Sequence, residues 1–183
     1  MDVDRLSTGE KIAGLSAILL FIFMFLNWFS VEVTGNAGGF TVSASEGGNA
    51  WEAFSLIDLI LMLTVIVTVA VVAIRLSDSI AEPAVSLTAV ITALGGLSVL
   101  LIIYRLIDTP DVGSFPGVSV DVSPSIGIFL GLLAAAGITY GGYRAMQEEG
   151  TSFGDVGDRL GSSGHSGPSQ GGPTPPPPPP PQA

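Results

Sequence analysis

The pattern of hydrophobic and polar positions along this chain is dominated by long apolar runs. Between residues 53 and 74, the only charged residue is Asp58. A helix rises about 1.5 Å per residue, so about 20 apolar residues cross a hydrocarbon layer of about 30 Å. Three other runs meet the same requirement. We therefore predict four membrane spans, at about 11–29, 52–75, 84–107 and 125–143.

Two of the connections between these spans show the alternation of apolar and polar residues that is typical of strands. In the first connection the alternation continues on both sides of a turn rich in Gly and Asn, which predicts a hairpin. It returns before span four and predicts a third strand. The predicted fold is an all-α membrane protein, a four-helix bundle with a small extracellular β-sheet. The alternating residues are Val31, Val33, Phe40, Val42, Ala44, Val118, Val120 and Val122.

Composition and charge narrow the possible partners. The chain is 48% hydrophobic and 12% charged, well below the roughly 25% charged residues of soluble domains. Its six basic residues and net charge of -10 argue against binding to nucleic acid, which needs clustered Lys and Arg. No polybasic segment flanks a span, which also argues against electrostatic capture of anionic lipid. The lipid bilayer is the expected environment.

The distribution of basic residues predicts the orientation, because cytoplasmic loops carry an excess of Lys and Arg. If the chain crosses four times, Arg105 alone falls at the outer end of a span. We therefore predict a multi-pass protein of the plasma membrane, with both termini in the cytoplasm. The basic residues predicted on the cytoplasmic side are Arg5, Lys11, Arg75, Arg144 and Arg159.

The composition changes near residue 150, where Gly, Ser, Gln and Pro replace the apolar residues. A segment of this kind buries too little apolar surface to fold, so residues 150–183 are predicted to be a disordered cytoplasmic tail. The run from Pro175 to Pro181 is expected to form polyproline II, a conformation that aromatic grooves of partner proteins bind. We favour a solvated terminus over such a protein-binding element.

Asp58 and Arg105 are the charged residues whose placement is unusual. An ionised carboxylate inside a membrane costs about 2.5 to 3.5 kcal/mol at the helix centre, so Asp58 is expected to have a partner. Arg105 is the candidate, and Asp108 lies three residues further along the same helix. We favour a structural ion pair between spans two and three over a relay or a ligand site, because the interiors of the spans contain no other titratable residues.

Small residues recur at helical spacing in two of the predicted spans. Where lipid supplies no hydrophobic driving force, such residues let helix backbones approach closely. We favour packing within the bundle over a homodimer seam, and the oligomeric state stays open. The residues are Gly127, Gly131, Ala135, Gly137 and Gly141 in span four, and Ala89, Ala93 and Gly96 in span three.

The residues needed for common enzyme chemistry are missing. His165 is the only histidine and lies in the predicted tail, and the chain has no Cys. A two-His metal site or a Ser–His catalytic pair cannot be built within one chain. No phosphate-binding or dinucleotide-binding loop is recognisable. We therefore predict a protein that is not an enzyme and that has neither metal nor cofactor.

Four segments of the chain form a recognisable pattern. They are RLSTGEKIAGLSAILLF before and within span one, NAWEAFSLIDL at span two, LLIIYRLID at span three and GIFLGLLAAAGITYGGYRAMQEEG through span four. Together they resemble a family of uncharacterised small four-span actinobacterial membrane proteins. The resemblance covers about residues 5–150 and implies a bacterial plasma membrane. The expected function is a non-enzymatic accessory or scaffold component. The alternative is a small transporter or channel with a site at Asp58 and Arg105.

Overall fold

The structure is a computed structural model that describes residues 6–37, 40–51, 56–77, 87–109 and 118–152, with Gly154 and Gly157. The predicted tail at 150–183 therefore lies almost entirely outside the described residues. The helices and strands, in chain order, are α1 (Thr8–Phe23), β1 (Asn27–Ala37), β2 (Phe40–Asn49), α2 (Leu56–Leu76), α3 (Leu87–Ile107), β3 (Val118–Pro124) and α4 (Ile126–Glu148).

Three helices in the described parts of the chain, α2, α3 and α4, are long and apolar enough to cross a membrane. The fourth predicted span, at 11–29, is not shown. α1 ends at Phe23 after 16 residues, and the chain turns and enters β1 at Asn27. The last three residues of the predicted span therefore belong to a strand, because Asn27 and Phe29 pair with strands that follow later in the chain.

The predicted three-stranded sheet is confirmed, and its presence makes the all-α fold class an overstatement. The strand order is β2-β1-β3, with both pairs antiparallel. Val33 of β1 lies opposite Ala44 of β2 and Val120 of β3. Residues directly opposite each other share a face of the sheet, so Val31, Val33, Val118, Val120 and Val122 lie on one face, as the sequence pattern predicts, with Glu46 at its β2 edge.

The four described helices run alternately up and down, and each packs against two neighbours, so they form a ring in the order α1, α2, α3, α4. The sheet is connected to one end of this ring, which we call the sheet end. The opposite end holds the start of α1 and the end of α4. We call it the network end, for the charged side chains described below.

The closest approach between helices is that of α1 and α4. A Cβ atom built on Gly141 lies 2.5 Å from the backbone nitrogen of Ala13 and 2.7 Å from the carbonyl oxygen of Gly9. Such separations leave no room for a side chain, so the two backbones are in direct contact. Gly9, Ala13 and Ala17 recur every fourth residue on the buried side of α1, the spacing that close helix packing requires.

The predicted packing glycines of span four have two different neighbours. Gly127 and Gly131 lie against the indole of Trp28, where a Cβ on Gly131 would come within 2.8 Å of Cζ2. They therefore seat a side chain from β1 and not another helix. Gly137 and Gly141 do face α1, through Ser16 and Ala13.

The small residues predicted to pack span three do not all face another helix. Ala89 is buried, but Ala93 is exposed, and a Cβ on Gly96 would meet only Thr139 Cγ2, at 4.0 Å. Gly95 takes the close contact instead, with a Cβ position 2.9 Å from the Thr139 nitrogen. The helix is rotated by about one residue relative to the predicted face. Ala135 of α4 is buried in the core.

We expect Gly141→Ala to lower the free energy of unfolding by about 1–3 kcal/mol, because the new methyl group must push α1 away from α4. The control is Gly96→Ala, which adds the same atom where there is space for it and which gains up to about 1 kcal/mol in helix propensity. Reversible unfolding in mixed detergent micelles measures both. Equal effects of the two substitutions would contradict the proposed α1–α4 contact.

Candidate functional site

The site predicted from the sequence lies at the sheet end. Asp58 is in the first turn of α2 and is 8% exposed, and Arg105 is in the last turn of α3. The ion pairs among the described residues do not include one between Asp58 and Arg105. The guanidinium of Arg105 lies over the ring of Phe29, 5.6 Å from its centroid. Asp108 accepts a hydrogen bond of 2.8 Å from the hydroxyl of Tyr104.

The position of Arg105 is explained by Phe29, which lies near the start of β1. Phe29 is 6% exposed as a residue, and it lies on the same face of the sheet as Val31 and Val33. An arginine can cover an aromatic ring with its planar guanidinium while keeping its charge near water. Arg105 therefore joins α3 to the sheet, whereas the sequence predicted a link between α3 and α2.

The densest set of charged contacts is at the network end, centred on Arg75 in the last turn of α2. Arg75 Nη2 lies 2.7 Å from Glu149 Oε1, and Arg75 Nε lies 3.4 Å from Glu10 Oε1. The other carboxylate oxygen of Glu149 accepts a 2.7 Å hydrogen bond from the hydroxyl of Thr88. We call these four residues the Arg75 network. They come from α1, α2, α3 and the end of α4, so one network joins all four helices.

Local sequence explains how Glu10 reaches this position. Ser7 caps α1, and its hydroxyl oxygen accepts a hydrogen bond of 3.1 Å from the Glu10 nitrogen. Glu10 Oε2 accepts in return from the Ser7 nitrogen at 2.9 Å, which completes a capping box. This bond holds the carboxylate, which is 5% exposed as a residue, with its second oxygen directed at Arg75.

The position of Arg75 explains why a cation is stable there. Arg75 lies at a helix C-terminus, where a cation is favoured by the helix dipole, and its guanidinium donates a hydrogen bond to Glu149. Its contact with Glu10 is a longer ion pair, and Glu10 Oε1 has no hydrogen-bond partner in the described parts of the chain. The Glu10 side chain is 6% exposed, whereas those of Arg75 and Glu149 are 36% and 24% exposed. Without Arg75, the nearly buried Glu10 carboxylate would lose its cationic partner, which is strongly unfavourable.

A second, weaker pair lies beside the network on α4. Arg144 Nη2 is 3.5 Å from Glu148 Oε1, and the other oxygen of Glu148 is 3.4 Å from the backbone nitrogen of Gly9. Both distances are at the long limit for a hydrogen bond. The contact between these two side chains is therefore weak, and Arg144 also interacts with the hydroxyl of Tyr140.

Most of the polar side chains that are buried between the helices are those of Thr and Ser, which carry hydroxyl groups. Most of them bond the carbonyl one turn earlier in their own helix, as Thr92 does with Thr88 and Thr139 with Ala135. Thr64 and Ser98 also lie 2.9 Å apart, which links α2 to α3. Thr68 is fully buried, and its hydroxyl has no hydrogen-bond partner in the described parts of the chain.

No group of three or more His, Cys, Asp or Glu side chains is placed to hold a metal within the described ranges. The Arg75 network holds the ends of the helices together through ion pairs and a hydrogen bond.

Sequence analysis missed the Arg75 network, although part of its signal was present. The spacing Ser7-x-x-Glu10 is a capping signature, and Arg75 is the only basic residue near the end of span two. Glu149 is 74 residues away from Arg75 in the chain, and only the fold brings these two together. No protein-family model matches this chain, and no curated protein matches it in sequence.

We expect Arg75→Met to lower the free energy of unfolding by about 1–3 kcal/mol. This is less than the 3–5 kcal/mol of a fully buried pair, because Arg75 is 36% exposed. Combining it with Glu10→Gln should cost less than the sum of the two single changes, because both remove the same contact.

The matched control is Arg144→Met, which breaks the 3.5 Å pair with Glu148 and should change the free energy by less than about 0.5 kcal/mol. All four variants can be compared by detergent unfolding. Fully additive effects of the Arg75 and Glu10 substitutions would show that the two side chains do not interact.

Proposed function

We propose that this chain is a non-enzymatic accessory or scaffold component of a bacterial plasma membrane, built as a four-span bundle. The observation that carries the proposal is the Arg75 network, which ties all four helices together at one end. Together with the direct contact of α1 and α4, it makes the bundle a rigid frame. A rigid frame suits a protein that holds partners in place.

The outer surface of α1 supports a fourth span. Its outward side chains are large and apolar, with Leu15 62% and Ile18 52% exposed. At about 1.5 Å per residue the 16-residue helix is about 24 Å long, somewhat short of an average bilayer, and local thinning offsets such a mismatch at modest cost. Lipid is the solvent in which such a surface is stable, as for α2, α3 and α4.

The distribution of charge supports the orientation that we propose. Lys11, Arg75 and Arg144 are at the network end, and in the described sheet the charged residues are acidic. By the positive-inside rule the network end is cytoplasmic and the sheet is extracellular. We assign the chain, as part of this proposal, to the small four-span actinobacterial membrane proteins that it resembles.

Two surfaces are available to partners. On the outside, the apolar face of the sheet includes Val33, which is 37% exposed. On the inside, the proline run at 175–181 lies outside the described residues. A scaffold is expected to use at least one of them.

Co-purification from native membranes tests the scaffold proposal. We expect a protein partner with the full-length chain and its loss in one of two variants, Val33→Lys or a chain ending at Gly150. Thr34→Lys is the control for the first variant, because it places the same charge on the other face of β1. If the full-length chain is isolated without a reproducible partner, the scaffold proposal is refuted.

The alternative function, a small transporter or channel, has one observation in its favour. The hydroxyl of Thr68 is buried within the bundle and has no hydrogen-bond partner in the described residues, an arrangement that calls for an explanation such as bound water. Thr64 and Ser98 lie further toward the sheet end, and Asp58 lies beyond them in the first turn of α2. A hydrated path along α2 would use these groups.

Because the chain has no Cys, single-cysteine accessibility distinguishes the two functions. We expect Thr68→Cys in native membranes to be protected from a cationic thiosulfonate reagent, since a rigid scaffold keeps its interior dry. Ser45→Cys, exposed on β2, is the reactive control, and Val69→Cys, on the outer face of α2, is the lipid-facing control. Rapid modification of Thr68→Cys, without modification of Val69→Cys, would favour the transporter.

A further inference from the structure

A surface cavity of about 350 Å³ lies on the outward face of α4, near the network end. One face of a single helix lines it, because its residues are spaced by three or four positions. None of them belongs to the Arg75 network. The lining residues are Tyr140, Tyr143, Arg144, Gln147 and Glu148.

The chemistry of the cavity changes in a regular order along the helix. The two tyrosines, 54% and 47% exposed, come first on the side of the membrane interior. Arg144 follows, and Gln147 and Glu148 lie about one turn further out, about 6 Å along the axis. From the membrane interior to water, the order is therefore aromatic ring with hydroxyl, cation, and then amide with carboxylate.

The position of the cavity matches the boundary of the lipid bilayer. α4 has 23 residues and is about 34 Å long, so its last turn, with Gln147 and Glu148, extends about 4 Å past a hydrocarbon core of about 30 Å, and Arg144 lies at the edge of that core. Tyrosine is enriched at this level of membrane proteins, where lipid headgroups are found. The nearest abundant ligand for the cavity is therefore a phospholipid.

Both charged groups keep unused hydrogen-bonding capacity. The guanidinium of Arg144 has five N–H donors, and it interacts with the hydroxyl of Tyr140 and, at 3.5 Å, with the carboxylate of Glu148. The carboxylate of Glu148 has two long contacts, at 3.5 Å to Arg144 and 3.4 Å to the Gly9 nitrogen. A ligand with both charges could replace the weak internal pair with two stronger contacts.

The charged side chains in and near the cavity favour one type of phospholipid headgroup over the others. An anionic headgroup would place extra negative charge beside Glu148 and near the carboxylates of Glu10 and Glu149. A quaternary ammonium has no N–H to donate. A primary ammonium carries the complementary charge and three donors for the Glu148 carboxylate.

We propose that this cavity binds the headgroup of a primary-amine phospholipid of the phosphatidylethanolamine type. The phosphate binds Arg144, the ammonium binds Glu148, and the tyrosines contact the glycerol and acyl region. This inference rests on the proposed function in one respect, that α4 spans the membrane. It goes beyond that function in assigning a ligand and the residues that hold it.

Competition between lipids tests the inference on the purified full-length chain. The protein in neutral detergent is mixed with equal amounts of phosphatidylethanolamine, phosphatidylcholine and phosphatidylglycerol, and bound lipid is counted by native mass spectrometry. We expect phosphatidylethanolamine to be preferred by about two- to fivefold, the range that partly exposed charge pairs give. Arg144→Gln should reduce binding of all three lipids.

Glu148→Gln separates the proposed role of the carboxylate from general lipid binding. It should abolish the preference for phosphatidylethanolamine over phosphatidylcholine while leaving phosphate binding intact. Arg105→Gln, at the opposite end of the bundle, is the control and should leave the lipid ratios unchanged. Folding of each variant is checked by its unfolding curve in the same detergent.

The outcomes distinguish failure of this inference from failure of the proposed function. Equal binding of the three lipids, a preference for phosphatidylglycerol, or a preference that survives Glu148→Gln would overturn the assignment, even if the protein sits in the bilayer. Release of the chain from membranes by alkaline carbonate would refute the membrane-spanning function on which the inference depends.

Discussion

The direct backbone contact between α1 and α4 is the constraint on which the rest of the structure depends. It exists because Gly9 and Ala13 of α1 face Gly141 of α4, where a side chain of any size would separate the helices. The contact brings the first turn of α1 beside the last turn of α4. Glu10 and Glu149 are thereby placed at the same end of the bundle, within reach of the single guanidinium of Arg75. Packing of small residues thus creates the electrostatic network.

The two ends of the bundle are held by different forces. At the network end, three charged side chains and one hydroxyl join helices whose termini would otherwise fray. At the sheet end, Trp28 fills the space above Gly127 and Gly131, and its indole nitrogen donates a 2.8 Å hydrogen bond to the Phe23 carbonyl. This indole anchors β1, and through it the sheet, to α4. The bundle is therefore held at both ends, by an ion-pair network at one and by a buried indole at the other.

The surface of the molecule follows from the solvent around it. In lipid an apolar outer face is the stable one, and the helices present such faces while burying glycine, alanine and hydroxyl-bearing residues between them. The charged groups of the bundle lie near its ends, where water and headgroups can solvate them. The cavity beside Arg144 and Glu148 lies on α4 at the level where lipid gives way to water. A lipid with both charges suits that boundary.

The hydrophobic runs and the strand alternation were sufficient to predict three membrane-competent helices and a three-stranded sheet, because both depend on local periodicity. The capping pair of Ser7 and Glu10 was also within reach of the sequence, since it spans a single turn. The end of α1 was not, because Trp28 and Phe29 are as compatible with a span as with a strand until their partners on β2, β3 and α4 are known.

Local sequence by itself therefore determined the apolar elements, the alternating strands and the charges available to join them. Tertiary structure alone decided which glycines seat Trp28, which face of α3 meets α4, and which carboxylates Arg75 binds. The physical reason is the range of the interactions. Periodicity and capping act over a few residues, whereas the partners of Arg75 lie 65 and 74 positions away in the chain, and only packing of the helices makes them neighbours.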